Sequence, residues 1–134
     1  KLSNAWGLHI GQEDLSVSEV RQILHCRQLV GRSNNSLHEV LASVQHGVDY
    51  VAIGAVFATQ TVGKGSRRAI GVVGVEQAKQ AVSKPVVAIG GINIENAAEV
   101  VRAGADAVSV ISAVTMQDDV QSAASKLSDV INNA

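Results

Sequence analysis

The chain has 134 residues, with 46% hydrophobic, 17% charged and 2% aromatic residues and a formal net charge of −1. That balance excludes a disordered tail, and the only adjacent basic pair, Arg67-Arg68, excludes a nucleic-acid footprint or a polybasic membrane patch. One cysteine, Cys26, rules out an internal disulfide and a multi-cysteine metal site, and no apolar run reaches the roughly 20 residues that cross a bilayer. A single intracellular, cytoplasmic domain is expected. Its Val, Ala, Ile and Leu content suits parallel strands covered by helices.

Five apolar runs begin at Leu8, Leu29, Tyr50, Val86 and Ala107, and they alternate with amphipathic segments. The spacing is 21 residues except between Tyr50 and Val86, where it is 36. This pattern predicts an α/β fold with a parallel sheet. Ser16 with Glu19, and Ser36 with Glu39, read as two capping boxes. Gly47 and Gly104 stand at helix ends, and Asn93 is expected to cap the helix through Ala97, Val100 and Val101. Val120, Ala124, Leu127 and Ile131 mark the last helix, and Pro85 precedes a strand.

The long interval runs from Ala55 to Gly71 and is rich in Gly, hydroxyls and cations. A loop at the carboxyl end of a parallel strand is where such folds build function, so phosphate contact is expected there, with an ordinary surface loop as the alternative. Gly90 and Gly91 follow the fourth run. They allow backbone amides to approach an anion, or else they form a tight turn. Ser109 to Ala113 adds a second set of donors at the end of the last run. Glu13 and Asp14 follow the first run; a carboxylate there could hold Mg²⁺, or could simply favour the next helix N-terminus. Ser33 is read in a loop after the second run, as a phosphate contact or a turn former. His9 is read as a strand residue, and His25, His38 and His46 as surface residues. Cys26 is read as an inert, partly buried thiol.

Taken in order, several segments resemble the thiamine-phosphate synthase family. They are Gly7-Leu8-His9-Ile10-Gly11-Gln12-Glu13-Asp14-Leu15, Gly31-Arg32-Ser33, Asp49 through Thr61, Ala88-Ile89-Gly90-Gly91-Ile92 and Val110-Ile111-Ser112-Ala113. The resemblance implies the C-terminal five units of a (β/α)₈ barrel, from the fourth strand onward, over residues 1–134. It implies a transferase that joins hydroxymethylpyrimidine diphosphate to thiazole phosphate, with Mg²⁺ assisting the departure of diphosphate. By position, Asp14 matches a Mg²⁺ ligand and Ser33 a contact to the pyrimidine diphosphate. Thr59, Gln60 and Thr61 match the loop around the thiazole phosphate, as do Gly90, Gly91, Ile111 and Ser112 at later turns. Val62 stands where the family has lysine, and Lys64 is the expected substitute. The family's segments that hold the rest of the pyrimidine diphosphate site have no counterpart. The chain is therefore expected to be part of a longer protein, or to associate with itself to complete a barrel. A thiazole tautomerase and a non-catalytic phosphate-binding paralogue are the alternatives.

Overall fold

The computed structural model describes residues 4–25, 27–59 and 69–134. Its centre is one five-stranded parallel sheet, whose spatial order follows the chain. The strands are β1 (Gly7–Ile10), β2 (Leu29–Asn34), β3 (Tyr50–Ile53), β4 (Val86–Ile89) and β5 (Ala107–Ser109). The helices are α1 (Val17–Ile23), α2 (Leu37–Gln45), α3 (Gly71–Ala81), α4 (Ala97–Arg102), α5 (Ser112–Thr115) and α6 (Val120–Asn132). Every apolar run is a strand, as the alternation predicts.

Side chains alternate across a strand, so the register assigns each residue to a face. Ile10, Val30, Val51, Ile53, Val86 and Ala88 lie on one face and are buried. They form the core with Val17, Val20, Val40, Val75, Ala78, Val100 and Leu127 from the helices. The other face carries His9, Leu29, Gly31, Ser33, Tyr50, Ala52, Val87, Ile89 and Ser109. Leu29 is 50% exposed there while Ala52 is buried, so the chain covers this face only in part.

One device fixes strand register twice. Asp49, just before β3, accepts hydrogen bonds from the Val30 amide at 2.7 Å and the Arg21 guanidinium at 2.6 Å. Asp106, just before β5, accepts them from the Val86 amide and the Lys79 ammonium, both at 2.7 Å. Each carboxylate thus ties the start of its own strand to the preceding strand and to a helix. Burial alone would raise Asp49, but the Val30 amide and Arg21 outweigh it and hold its carboxyl below the usual range. The Lys79 ammonium, then the Val86 amide, do the same for Asp106. Asn34 supplies the buried polar link: its amide donates to the Arg32 and Ala52 carbonyls, and its oxygen accepts from the Ser43 hydroxyl at 2.6 Å.

Four local expectations are corrected. Ser33 lies inside β2, because Asn34 extends the strand by anchoring it to β3. Asn93 caps the turn that leads into α4 and not α4 itself: its side chain accepts the Glu95 amide, its carbonyl accepts the Ala97 amide, its own amide donates to Asn96, and the helix starts only at Ala97. Strand β5 stops at Ser109, and Ser112 opens the short α5 instead of ending a strand. The Ser16–Glu19 capping box is complete, but Glu39 directs its carboxylate to Asn35 and Gln12 rather than to Ser36. Gly47 and Gly104 do end α2 and α4, with φ of +86° and +98°. His25, His38 and His46 are exposed. Cys26, Gln60, Thr61, Val62 and Lys64, and the expectations resting on them, lie outside the described residues.

Candidate active site at the carboxyl ends of the strands

Two groups of residues gather around the predicted positions. The first spans β1 to β3. The turn after β1 folds back on itself: the Gly11 amide donates to Asp14 Oδ2 at 2.6 Å, and Asp14 is exposed. Beside it, His9 Nε2 lies 2.8 Å from Ser33 Oγ, and His9 Nδ1 lies 2.9 Å from the Tyr50 hydroxyl. The His9 and Tyr50 rings stack with centroids 5.6 Å apart. A neutral imidazole donates from one nitrogen and accepts at the other, so His9 links the two hydroxyls in that form. Burial pushes the His9 pKa below its usual value, and the Asp14 charge, which pulls it upward, does not prevail. Burial also raises the Tyr50 phenol, so it remains a neutral hydroxyl at ordinary pH.

Gly31 makes this arrangement possible. It pairs with both His9 and Tyr50 in the register, and a Cβ at Gly31 would collide with the Tyr50 ring. Neither His9 nor Tyr50 was expected as a site residue. The available signal was a glycine inside an apolar strand, which marks a close approach by something else.

The second group lies at β4 and β5. Thr59, Gly90, Gly91, Ile111 and Ser112 line one small cleft of about 60 Å³, with Ile89, Ile92, Ser109 and Val110. Five residues singled out separately along the sequence therefore meet around one space. Phe57 and Val56 fasten the segment after β3 to this edge, donating to the Gly90 and Ile89 carbonyls at 3.0 Å each. Gly90 and Gly91 have φ of +95° and +68°, a region that L side chains rarely adopt. A Cβ at Gly91 would also lie 2.8 Å from the Phe57 oxygen. The Asn96 amide steadies the turn by donating to the Gly91 carbonyl at 3.1 Å. Two larger open clefts, of about 410 Å³ beside α6 and about 430 Å³ between α2 and α3, contain none of these five residues.

The two groups sit on opposite sides of β3, with Asp14 and Ser33 on one side and the five cleft residues on the other. Among the described residues, no group of three or more His, Cys, Asp or Glu could hold a metal. Asp14 offers one carboxylate whose second oxygen is not the acceptor for Gly11. That fits Mg²⁺, which keeps most of its waters and needs only one or two carboxylates beside substrate phosphates. No described helix is long and apolar enough to cross a membrane.

Consecutive parallel β/α units, with their polar side chains gathered at the carboxyl ends of the strands, define a TIM-barrel type of α/β protein. A family model described as thiamine monophosphate synthase matches residues 1–114, and the chain belongs to that family. A thiamine-phosphate synthase from Chloroflexus aurantiacus is 43% identical over 129 residues, which cover 96% of this chain and 59% of that protein. The solved thiamine phosphate pyrophosphorylase from Pyrococcus furiosus superposes with a TM-score of 0.88 at 37% identity, over 97% of this chain and 61% of that one. A 3-hexulose-6-phosphate synthase structure, 16% identical, shares the fold alone, with a TM-score of 0.72 over 97% of this chain and 64% of that one. The chain thus spans about three fifths of the length of the family relatives described.

Proposed function

We propose that the protein carrying this chain joins a hydroxymethylpyrimidine diphosphate to a thiazole phosphate, giving thiamine phosphate and diphosphate. The observation that supports it best is the convergence of Thr59, Gly90, Gly91, Ile111 and Ser112 on one cleft. In this reading the cleft receives the thiazole phosphate through hydroxyls and backbone amides. Ser33 receives the diphosphate, with its hydroxyl oriented by His9. Asp14 would hold Mg²⁺, which when bound neutralises charge on the departing diphosphate. The methylene–oxygen bond of the pyrimidine breaks, the electron pair leaves with diphosphate, and the thiazole nitrogen forms the new bond to that carbon. This chemistry requires orientation and charge stabilisation rather than a protein nucleophile. The remaining β/α units would come from a longer parent chain or from self-association. Its substrates are multiply charged and do not cross membranes unaided, which supports a cytoplasmic site of action.

The test is thiamine phosphate formation by the barrel containing this segment, with and without Mg²⁺. Asp14→Ala is expected to lose most activity and to recover part of it at high Mg²⁺. Ser33→Ala should raise KM for the pyrimidine diphosphate, whereas Thr59→Ala should raise it for the thiazole phosphate. Full activity in Asp14→Ala would refute the metal assignment. Binding of both substrates without turnover would refute the synthase reading.

A further inference from the structure

The two Ser-x-x-Glu segments are alike in sequence but not in structure. In α1, Glu19 completes its capping box, accepting from the Ser16 amide at 2.8 Å and the Ser16 hydroxyl at 2.6 Å. In α2, Ser36 still accepts the Glu39 amide at 3.3 Å. The Glu39 carboxylate, however, reaches past Ser36. Its Oε2 accepts the Asn35 amide at 2.8 Å and Gln12 Nε2 at 2.7 Å. A carboxylate is acceptor-only, so the Gln12 side chain must present its NH₂ group here. Both Gln12 and Glu39 are half-buried, which shields the charge-assisted bond from water.

The position of this bond gives it meaning. Gln12 follows Gly11, whose amide holds Asp14. Asn35 directly follows β2, two residues after Ser33. One carboxylate oxygen therefore joins the turn carrying Asp14 to the end of the strand carrying Ser33. A helix cap alone needs no partner from the neighbouring β/α unit, and Glu19 shows that the local box can close without one.

We propose that Gln12 and Glu39 are positioning residues that set the spacing between the Asp14 carboxylate and the Ser33 hydroxyl, and so the fit of a magnesium diphosphate between them. The proposal rests on the functional reading above. Neither residue needs to touch the ligand. Loosening the tether should weaken diphosphate binding and leave the Thr59–Gly91 cleft untouched.

The test uses Gln12→Glu, which sets two carboxylates against each other, and the exchanged pair Gln12→Glu with Glu39→Gln. In the exchanged pair, the Gln side chain at 39 can donate to the new carboxylate while its oxygen accepts the Asn35 amide. Calorimetry with inorganic diphosphate plus Mg²⁺ measures affinity, and amide exchange at Gly11 measures the turn. Gln12→Glu should weaken binding about tenfold, or about 1.4 kcal/mol. It should also speed Gly11 exchange, and the exchanged pair should recover most of both. The thermal midpoint should stay near that of the unaltered protein, which separates positioning from folding. Unaltered affinity and exchange in Gln12→Glu would overturn the proposal, as would an exchanged pair no better than the single variant. Absence of diphosphate binding by the unaltered protein would refute the site reading and the positioning role with it, even where exchange shows the tether to be real.

Discussion

Gly31→Ala is expected to destabilise the protein, although local backbone rules give the opposite sign. Gly31 is buried in β2, and a glycine in a strand interior ordinarily costs about 0.5–1 kcal/mol relative to alanine. On that ground alone the substitution would stabilise. The structure adds a collision, because the new methyl would enter the Tyr50 ring. Overpacking of this kind costs about 1–3 kcal/mol. Moving Tyr50 also breaks its 2.9 Å bond to His9, worth about 0.5–1.5 kcal/mol net. The collision and the broken bond outweigh the backbone gain, and a net loss of about 2 kcal/mol is expected. With a urea m-value of about 1–3 kcal/mol/M, the unfolding midpoint should fall by roughly 1 M. The clean assay is a double-mutant cycle with Tyr50→Ala. With the ring gone, Gly31→Ala should become neutral or stabilising. An equal cost in both backgrounds would refute the reasoning, and so would a stabilised single variant.

Asp106→Ala is expected to lose about 1–3 kcal/mol, because the Val86 amide loses its acceptor, whereas Lys79→Ala should lose less than about 1 kcal/mol from a half-exposed ion pair. Denaturant melts of the two variants decide it, and equal losses would count against the amide contact. Asp49 and Asp106 have lowered folded pKa values, so their contribution is present above the ordinary carboxylate range. It should disappear as pH falls through the lowered values; melts from pH 7 downward in Asp106→Asn should show a shallower acid loss than the unaltered protein. Asn34→Ala should cost about 1–3 kcal/mol by stranding the Ser43 hydroxyl, and adding Ser43→Ala should return part of it. The His9 imidazole is lowered, so the unfolded chain takes up that proton first as pH falls below about 6.5, and folding stability declines from there to the lowered folded value. Proton NMR should show His9 titrating below the ordinary histidine value. A His9 midpoint at or above the ordinary value would contradict its desolvation beside Tyr50.

The two carboxylate clamps explain why the carboxyl ends of the strands can carry a site at all. A one-residue shift would move every side chain to the other face, so burial of one face already resists slippage, and the clamps add a polar tie at the strand starts. Asp49 fixes β3 against β2, and Asp106 fixes β5 against β4, both from the amino ends of the strands. The opposite ends are then free to use their polar groups on one another. That is where Asp14 and Ser33 stand and where Thr59, Gly91 and Ser112 line their cleft, while Tyr50, the first residue of β3, reaches His9 from beside Asp49. The Asp106 clamp lies the length of β5 from the cleft, so Asp106→Ala should disturb the cleft only by loosening the sheet.

Much of this was legible in the sequence because strands and helices announce themselves locally. Each of the five apolar runs, and the glycines at 47 and 104, obey rules that need only neighbouring residues. The cleft residues were found by motif order, and the fold then had only to bring the ends of β3, β4 and β5 together. What escaped was every choice made across strands. Ser33 looks like a loop residue until Asn34 is seen bonding to Ala52, 18 positions away. Glu39 looks like a second capping residue until Gln12, 27 positions away, arrives beside it. Tyr50 looks like an ordinary strand aromatic until the register sets it beside Gly31, the one place in β2 with no side chain to obstruct it. In each case the local rule was sound, but a partner from a neighbouring β/α unit outcompeted it. Those partners are the residues around Asp14 and Ser33, so the part of the site least visible in the sequence is the part that depends most on the sheet.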